Sequence, residues 1–196
     1  MYLPNILLAV PRNSVTALGL PLALGFFSGS QTSSVTVSNW YHSLRSPPGQ
    51  PPRTVFPFVW TLLYLSMGYA SHIAVKALDT ATFKDDYDSL QMGFTLYFAQ
   101  LALNFVWSPL FFGARQTGLA LIDSVLLMGT TLAMTVCDQT ITVRTAVLKA
   151  LQRLWDRPTN AQATWFLLPY CAWLGYATYL NAGIWWLNRK PNGSRK

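Results

Sequence analysis

The side chains that could do chemistry are few, and they are spaced for helices in an apolar setting. Trp60, Tyr64, Met67 and Ser71 recur at i, i+4, i+7 and i+11 and so share one helical face. Gln100, Asn104 and Trp107 do the same on a second run, and Trp173, Ala177, Leu180, Asn181 and Ile184 on a third. An Asn or Gln amide in apolar surroundings needs a partner, so these faces are expected to point into a bundle. Two uses fit them: interhelical hydrogen bonding with aromatic packing, or a pocket of rings and a few polar groups suited to a flat apolar ligand. Asp123 stands apart as a carboxylate within an apolar run, a costly placement. It follows Arg115 by about 12 Å of helix, too far for a direct pair, so its partner is expected on another helix. A hydrogen bond with the acid neutral and coupling to protons or ions are both open. His42 and His72 are the only histidines and lie on different segments, so no metal spacing arises, and no glycine-rich phosphate loop is present.

The elements that must hold these residues follow from composition. Charged residues make up 11% of the 196, against about 25% in a soluble domain, and Glu is absent. Lipid is therefore the expected solvent. A helix needs about 20 apolar residues to cross a bilayer. Charge-poor runs predict five transmembrane helices at about 14–31, 56–78, 90–112, 116–136 and 164–186, an all-α integral membrane bundle in one domain spanning 1–196. Sustained alternation is missing, and barrel strands of about 10 residues would be too short for these runs. A cleaved signal peptide is the alternative reading of the first run, although no clear small-x-small site follows it. Cys137 and Cys171 fall at or within helical spans, which argues against a structural disulfide.

Five spans put the termini on opposite faces, with seven basic residues on each, so loop charge does not choose an orientation. The net charge of +7 fits contact with lipid headgroups and needs no nucleic acid. Arg144–Trp155 places Val147, Leu148, Leu151 and Leu154 on one side and Arg144, Lys149 and Arg153 largely on the other, predicting an interfacial helix at about 144–155; docking a partner is its other use. Gly25-x-x-x-Gly29 allows close helix approach, either inside the bundle or in a homodimer. Pro169, within the last span, predicts a bend or irregular turn near Leu168. The stretch WYHSLRSPPGQPPRTVF, residues 40–56, is stiff and basic between two apolar runs.

These blocks together resemble the translocator protein family, also called peripheral benzodiazepine receptor or TspO proteins. They are Trp40-Tyr41 with Leu44, Pro47 and Pro51-Pro52; VWTLLYLSMGYA from Val59; QLALNFVWSP from Gln100, followed by FFGARQ; and PYCAWLGYATYLN from Pro169. The proline-rich loop looks more like fungal or other eukaryotic microbial members. The resemblance implies a five-helix receptor or carrier for hydrophobic ligands: porphyrins including haem-type tetrapyrroles, sterols and benzodiazepine-site compounds. It implies no required cofactor, and the mitochondrial outer membrane as location; the endoplasmic reticulum, another secretory membrane or a bacterial membrane are alternatives. Residue by residue, it implies a pocket lined by Trp60, Asn104, Trp107, Trp173 and Ala177, closed by Tyr41. Leu180, Val59, Phe56, Leu119 and Leu126 match further apolar lining positions.

Departures from the family pattern shape what to expect. Gly49 stands where family loops often carry Trp, suggesting a flexible hinge; restoring the ring by Gly49→Trp is expected to tighten porphyrin binding. Leu119 replaces an aromatic position of animal members. After Leu180 the cholesterol motif lacks both its Tyr and its basic residue, with Ala182 and Trp186 in their places, so porphyrin moves ahead of sterol. Arg45 and Arg53 are open to two roles, pairing with propionates or reaching lipid headgroups. Some bacterial relatives are linked to light-dependent porphyrin breakdown, and Tyr41 and Trp173 leave that enzymatic reading open. A membrane protein that organises partners is the third class.

Overall fold

The computed structural model describes residues 3–82, 84–134 and 162–189, and those residues form helices joined by short turns and one longer loop. In chain order these are α1 (Asn5–Arg12), α2 (Ser14–Thr36), α3 (Asn39–Ser43), α4 (Val55–Asp79), α5 (Lys84–Ser108), a π-helical turn (Pro109–Gly113), α6 (Thr117–Met134) and α7 (Gln162–Asn188). The segment 144–155 and Cys137 lie outside the described residues.

Five of these helices are 18 residues or longer, one for each predicted run. Three of them, α4, α5 with its π turn, and α6, are long and apolar enough to cross a membrane; a fourth span results if α1 and α2 count as one bent unit. The two meet at 100° around Asn13, whose side chain accepts from the Val15 amide and caps α2. α7 is long enough for a crossing, but its many Trp and Tyr side chains lower its hydropathy. Helix α5 begins at Lys84, six residues before the predicted span, because a membrane helix can continue past the hydrocarbon into water. At the other end, the run's last residues form the π turn, with the Ala114 amide donating to the Pro109 carbonyl at 2.8 Å.

The long helices pack in a ring: α2 on α4, α4 on α7, α7 on α6, α6 on α5, and α5 back on α2. Neighbours α2 and α4 meet where Gly25 lets the Tyr64 ring approach; a Cβ there would lie 2.1 Å from Tyr64 Cε2. Gly29 has open space beside it, so only the first half of the Gly-x-x-x-Gly pattern serves packing inside the bundle. The core gathers Leu63, Met67, Phe94, Tyr97, Leu127 and Leu174 from four helices. Short α1 closes one end of the ring. Leu8 is buried, the Leu3 amide donates to Gln91 Oε1 at 3.1 Å, and Arg12 pairs with Asp79 at 2.8 Å. α7 runs through Pro169 as one helix, so the irregular turn expected near Leu168 does not form.

Candidate functional site

The faces predicted from spacing all turn inward. Met67, Ser71, Gln100, Asn104, Leu180, Asn181 and Ile184 are buried, while Trp60, Trp107, Trp173 and Ala177 are half-buried. At their centre lies a hydrogen-bond chain joining three helices. Tyr64 Oη donates to Asn104 Oδ1 at 2.6 Å, Asn104 Nδ2 donates to Tyr170 Oη at 3.0 Å, and Tyr170 Oη donates to Gln100 Oε1 at 2.8 Å. Gln100 Nε2 lies 3.6 Å from Met67 Sδ. The polar groups that apolar surroundings make costly are thus satisfied by one another. Tyr170 is fully buried and essential to this chain, yet spacing alone did not single it out. Its position three residues before Trp173 and seven before Ala177, on the same face, was the available signal.

Aromatic rings stand around that chain. Trp60 lies 5.5 Å from the Tyr64 ring and 6.3 Å from Tyr170, centroid to centroid. Phe56 meets Trp173 edge-on at 5.7 Å. Towards the loop, Trp107 stacks on Phe111 at 5.0 Å and meets Phe112 at 5.8 Å, and Tyr41 reaches Phe112 at 5.9 Å. The indole N–H groups of Trp107 and Trp173 are buried and find no acceptor among the described residues. Each such donor costs about 1–3 kcal/mol when left unmade. Asp123 is buried as expected, but its Oδ2 also lacks a partner among the described residues. The neighbouring Ser124 instead receives a bond from Asn181 Nδ2 at 3.1 Å.

Val59 and Trp173 line an open cleft of about 470 Å³ between α4 and α7, together with Leu62, Leu63, Pro169, Ala172 and Tyr176. Its walls are almost entirely apolar, and it opens on the outer surface of the ring. Leu119 and Leu126 are not brought to the inner face; they are 51% and 54% exposed on the outside of α6. Among the described residues no cluster of His, Cys or carboxylates could hold a metal ion.

The first loop lies over the end of this face, tied to α7 by main-chain contacts. Tyr176 Oη donates to the Gly49 carbonyl, and Tyr179 Oη donates to that of Pro48 at 3.1 Å. Asn188 pairs with the Arg45 backbone in both directions, accepting its N–H at 3.0 Å and donating to its carbonyl at 2.9 Å. Pro47 fits against Gly183, where a Cβ would come within 2.6 Å of the proline ring. Gly49 holds φ at +86°, a conformation L side chains rarely adopt. The ties from Tyr176, Tyr179 and Asn188 were not anticipated, because main-chain acceptors leave no mark in a sequence.

Comparison with known proteins finds relatives along nearly the whole chain. The model of the TspO/MBR family matches residues 17–187. A translocator protein homolog of Schizosaccharomyces pombe is 38% identical over 92% of this chain and 94% of its own length. The human translocator protein is 37% identical, covering 93% and 95%. The tryptophan-rich protein TspO of Chlorobaculum tepidum is 33% identical, covering 87% and 92%.

Proposed function

The chain belongs to the TspO/MBR family of membrane proteins, and from that membership we propose that it is a receptor or carrier for flat hydrophobic ligands, tetrapyrroles of the porphyrin or haem type first and sterols second. One observation carries the reading. Three indoles from three helices, Trp60, Trp107 and Trp173, stand within a turn of the buried Tyr64–Asn104–Tyr170 chain, and two of them hold N–H groups without an acceptor among the described residues. Rings of that kind stack on a flat aromatic body, and the free N–H groups favour a ligand carrying acceptor atoms. A sterol offers one hydroxyl and no aromatic face, so it uses less of what the site provides. Ala177 and Leu180 would continue the lining on α7, and Tyr41 would cover it from the loop. The cleft beside Val59 and Trp173 offers a route in from lipid. All five long helices cross the bilayer in this reading, and the membrane is the mitochondrial outer one, as the likeness to eukaryotic members suggests.

Titration of the purified protein in detergent with protoporphyrin, in the dark and under light, tests the reading. Saturable quenching of Trp fluorescence without pigment loss supports binding alone. Light-dependent loss that requires Tyr41 and Trp173 would instead favour an enzyme. No saturable signal from porphyrin or sterol overturns the receptor reading.

A further inference from the structure

The end of the bundle that carries the first loop also carries four arginines, and their contacts join them into one surface. Arg115 lies over the Trp40 ring at 5.3 Å and Arg53 over Tyr41 at 4.9 Å, with Trp40 and Tyr41 adjacent on α3. Arg189, just past α7, lies 3.3 Å from the Trp186 ring centre and 5.3 Å from that of Trp185. Arg45 is held against the same end of α7 by Asn188. All four are exposed, and no Asp among the described residues shares this end. Asp79, Asp85, Asp86 and Asp88 belong to the opposite end of α4 and α5, and Asp123 is buried within α6. The two ends therefore differ in kind: one mixes acids with Arg12, Lys76 and Lys84, whereas the other is cationic throughout.

Arg53 spends N–H groups on the Thr36 carbonyl and on His42. Arg115 and Arg189 have no hydrogen bond or ion pair among the described residues. A guanidinium lying over a ring keeps its in-plane N–H groups free, and their fork matches phosphate oxygens. Trp rings at helix ends mark the depth of the headgroups. We propose that this end of the bundle is a docking surface for phospholipids with a net negative headgroup, with Arg115 and Arg189 holding the phosphate and Arg45 and Arg53 adding to the field.

The test uses the full chain in phosphatidylcholine nanodiscs doped with a trace of spin-labelled phosphatidic acid or of phosphatidylcholine carrying the same label. Quenching of Trp fluorescence reads the local enrichment of each lipid. Phosphatidic acid is expected to be enriched severalfold over phosphatidylcholine, at about fivefold per engaged arginine. R115Q/R189Q should lose most of that preference, and K76Q/K84Q, at the other end, should keep it. Equal preference in wild type and R115Q/R189Q overturns the proposal, as does an equal loss in K76Q/K84Q. Should R115Q/R189Q fail to fold, wild type alone decides: the preference must fall as salt rises from about 0.05 M to about 0.5 M. A preference that ignores salt overturns it. Failure of the porphyrin titration would leave this result untouched.

Discussion

Asn104 uses both ends of its amide, taking one hydroxyl and giving to another, and this makes it the most exposed to substitution. Asn104→Leu would leave the Tyr64 hydroxyl without an acceptor. A stranded buried hydroxyl costs about 1–3 kcal/mol, whereas hydrogen bonds between membrane helices average about 0.6 and reach about 1.7. The lower range governs here, because a chain unfolded within lipid finds other partners. With two such bonds lost, Asn104→Leu is expected to lower stability by about 1–2 kcal/mol, read by denaturation in detergent; an unchanged midpoint would mean that Tyr64 has another acceptor. Gly49 reverses an expectation. Sequence comparison makes Gly49→Trp look like the restoration of a lost ring, but any L side chain at a φ of +86° strains the loop by about 1–2 kcal/mol. Gly49→Trp and Gly49→Ala should both weaken porphyrin binding, by similar factors in a quenching titration. Tightening by Trp alone would restore the ring idea. At this scale the inward faces were legible because period 3.6 places them. Leu119 and Leu126 show the limit: matching a family position says nothing of the helix's rotation, and here both side chains point outward.

Among elements, the loop and α7 form the unit most open to test. Asn188 imitates a strand partner for the Arg45 backbone, and Gly183 leaves room for Pro47. Asn188→Ala removes both hydrogen bonds to the loop, and Gly183→Ala pushes the proline outward by steric contact. Each should free the loop, so that trypsin cuts after Arg45 several times faster while the helices stay folded. A rate equal to wild type in both variants would assign the hold to Tyr176 and Tyr179 alone. The helices themselves were readable from charge-free runs, since hydrocarbon excludes charge. Their ends were not: the rule that found α5 also cut it short, because a helix can run on through charged residues such as Lys84 and Asp88. The prolines had different outcomes. Pro109 opens a π turn, whereas Pro169 sits in unbroken helix. The difference lies in whether neighbours continue the helix after the proline, which tertiary packing decides.

For the molecule as a whole, the helix count and the direction of each helix make one claim that labelling can check. In the ring α2, α4, α5, α6 and α7 each pack against two neighbours. Hydropathy alone favours fewer crossings, because Trp and Tyr lower the apparent apolarity of α7. Those residues are nonetheless suited to a membrane: their rings are apolar, and the hydroxyls of Tyr170, Tyr176 and Tyr179 all have partners within the protein. Packing therefore outweighs average hydropathy, and α7 should cross. The sequence could not orient the bundle, since seven basic residues fall on each side of a five-span chain. Single cysteines introduced by Ser46→Cys and Arg189→Cys, in a chain carrying C137S/C171S, should react with an impermeant maleimide from one side of a sealed vesicle. Thr82→Cys, at the opposite end of α4, should react only from the other. If α7 did not cross, Arg189→Cys would label with Thr82→Cys instead. The cationic end would then be divided between two leaflets, removing the common surface that Arg45, Arg115 and Arg189 present to lipid.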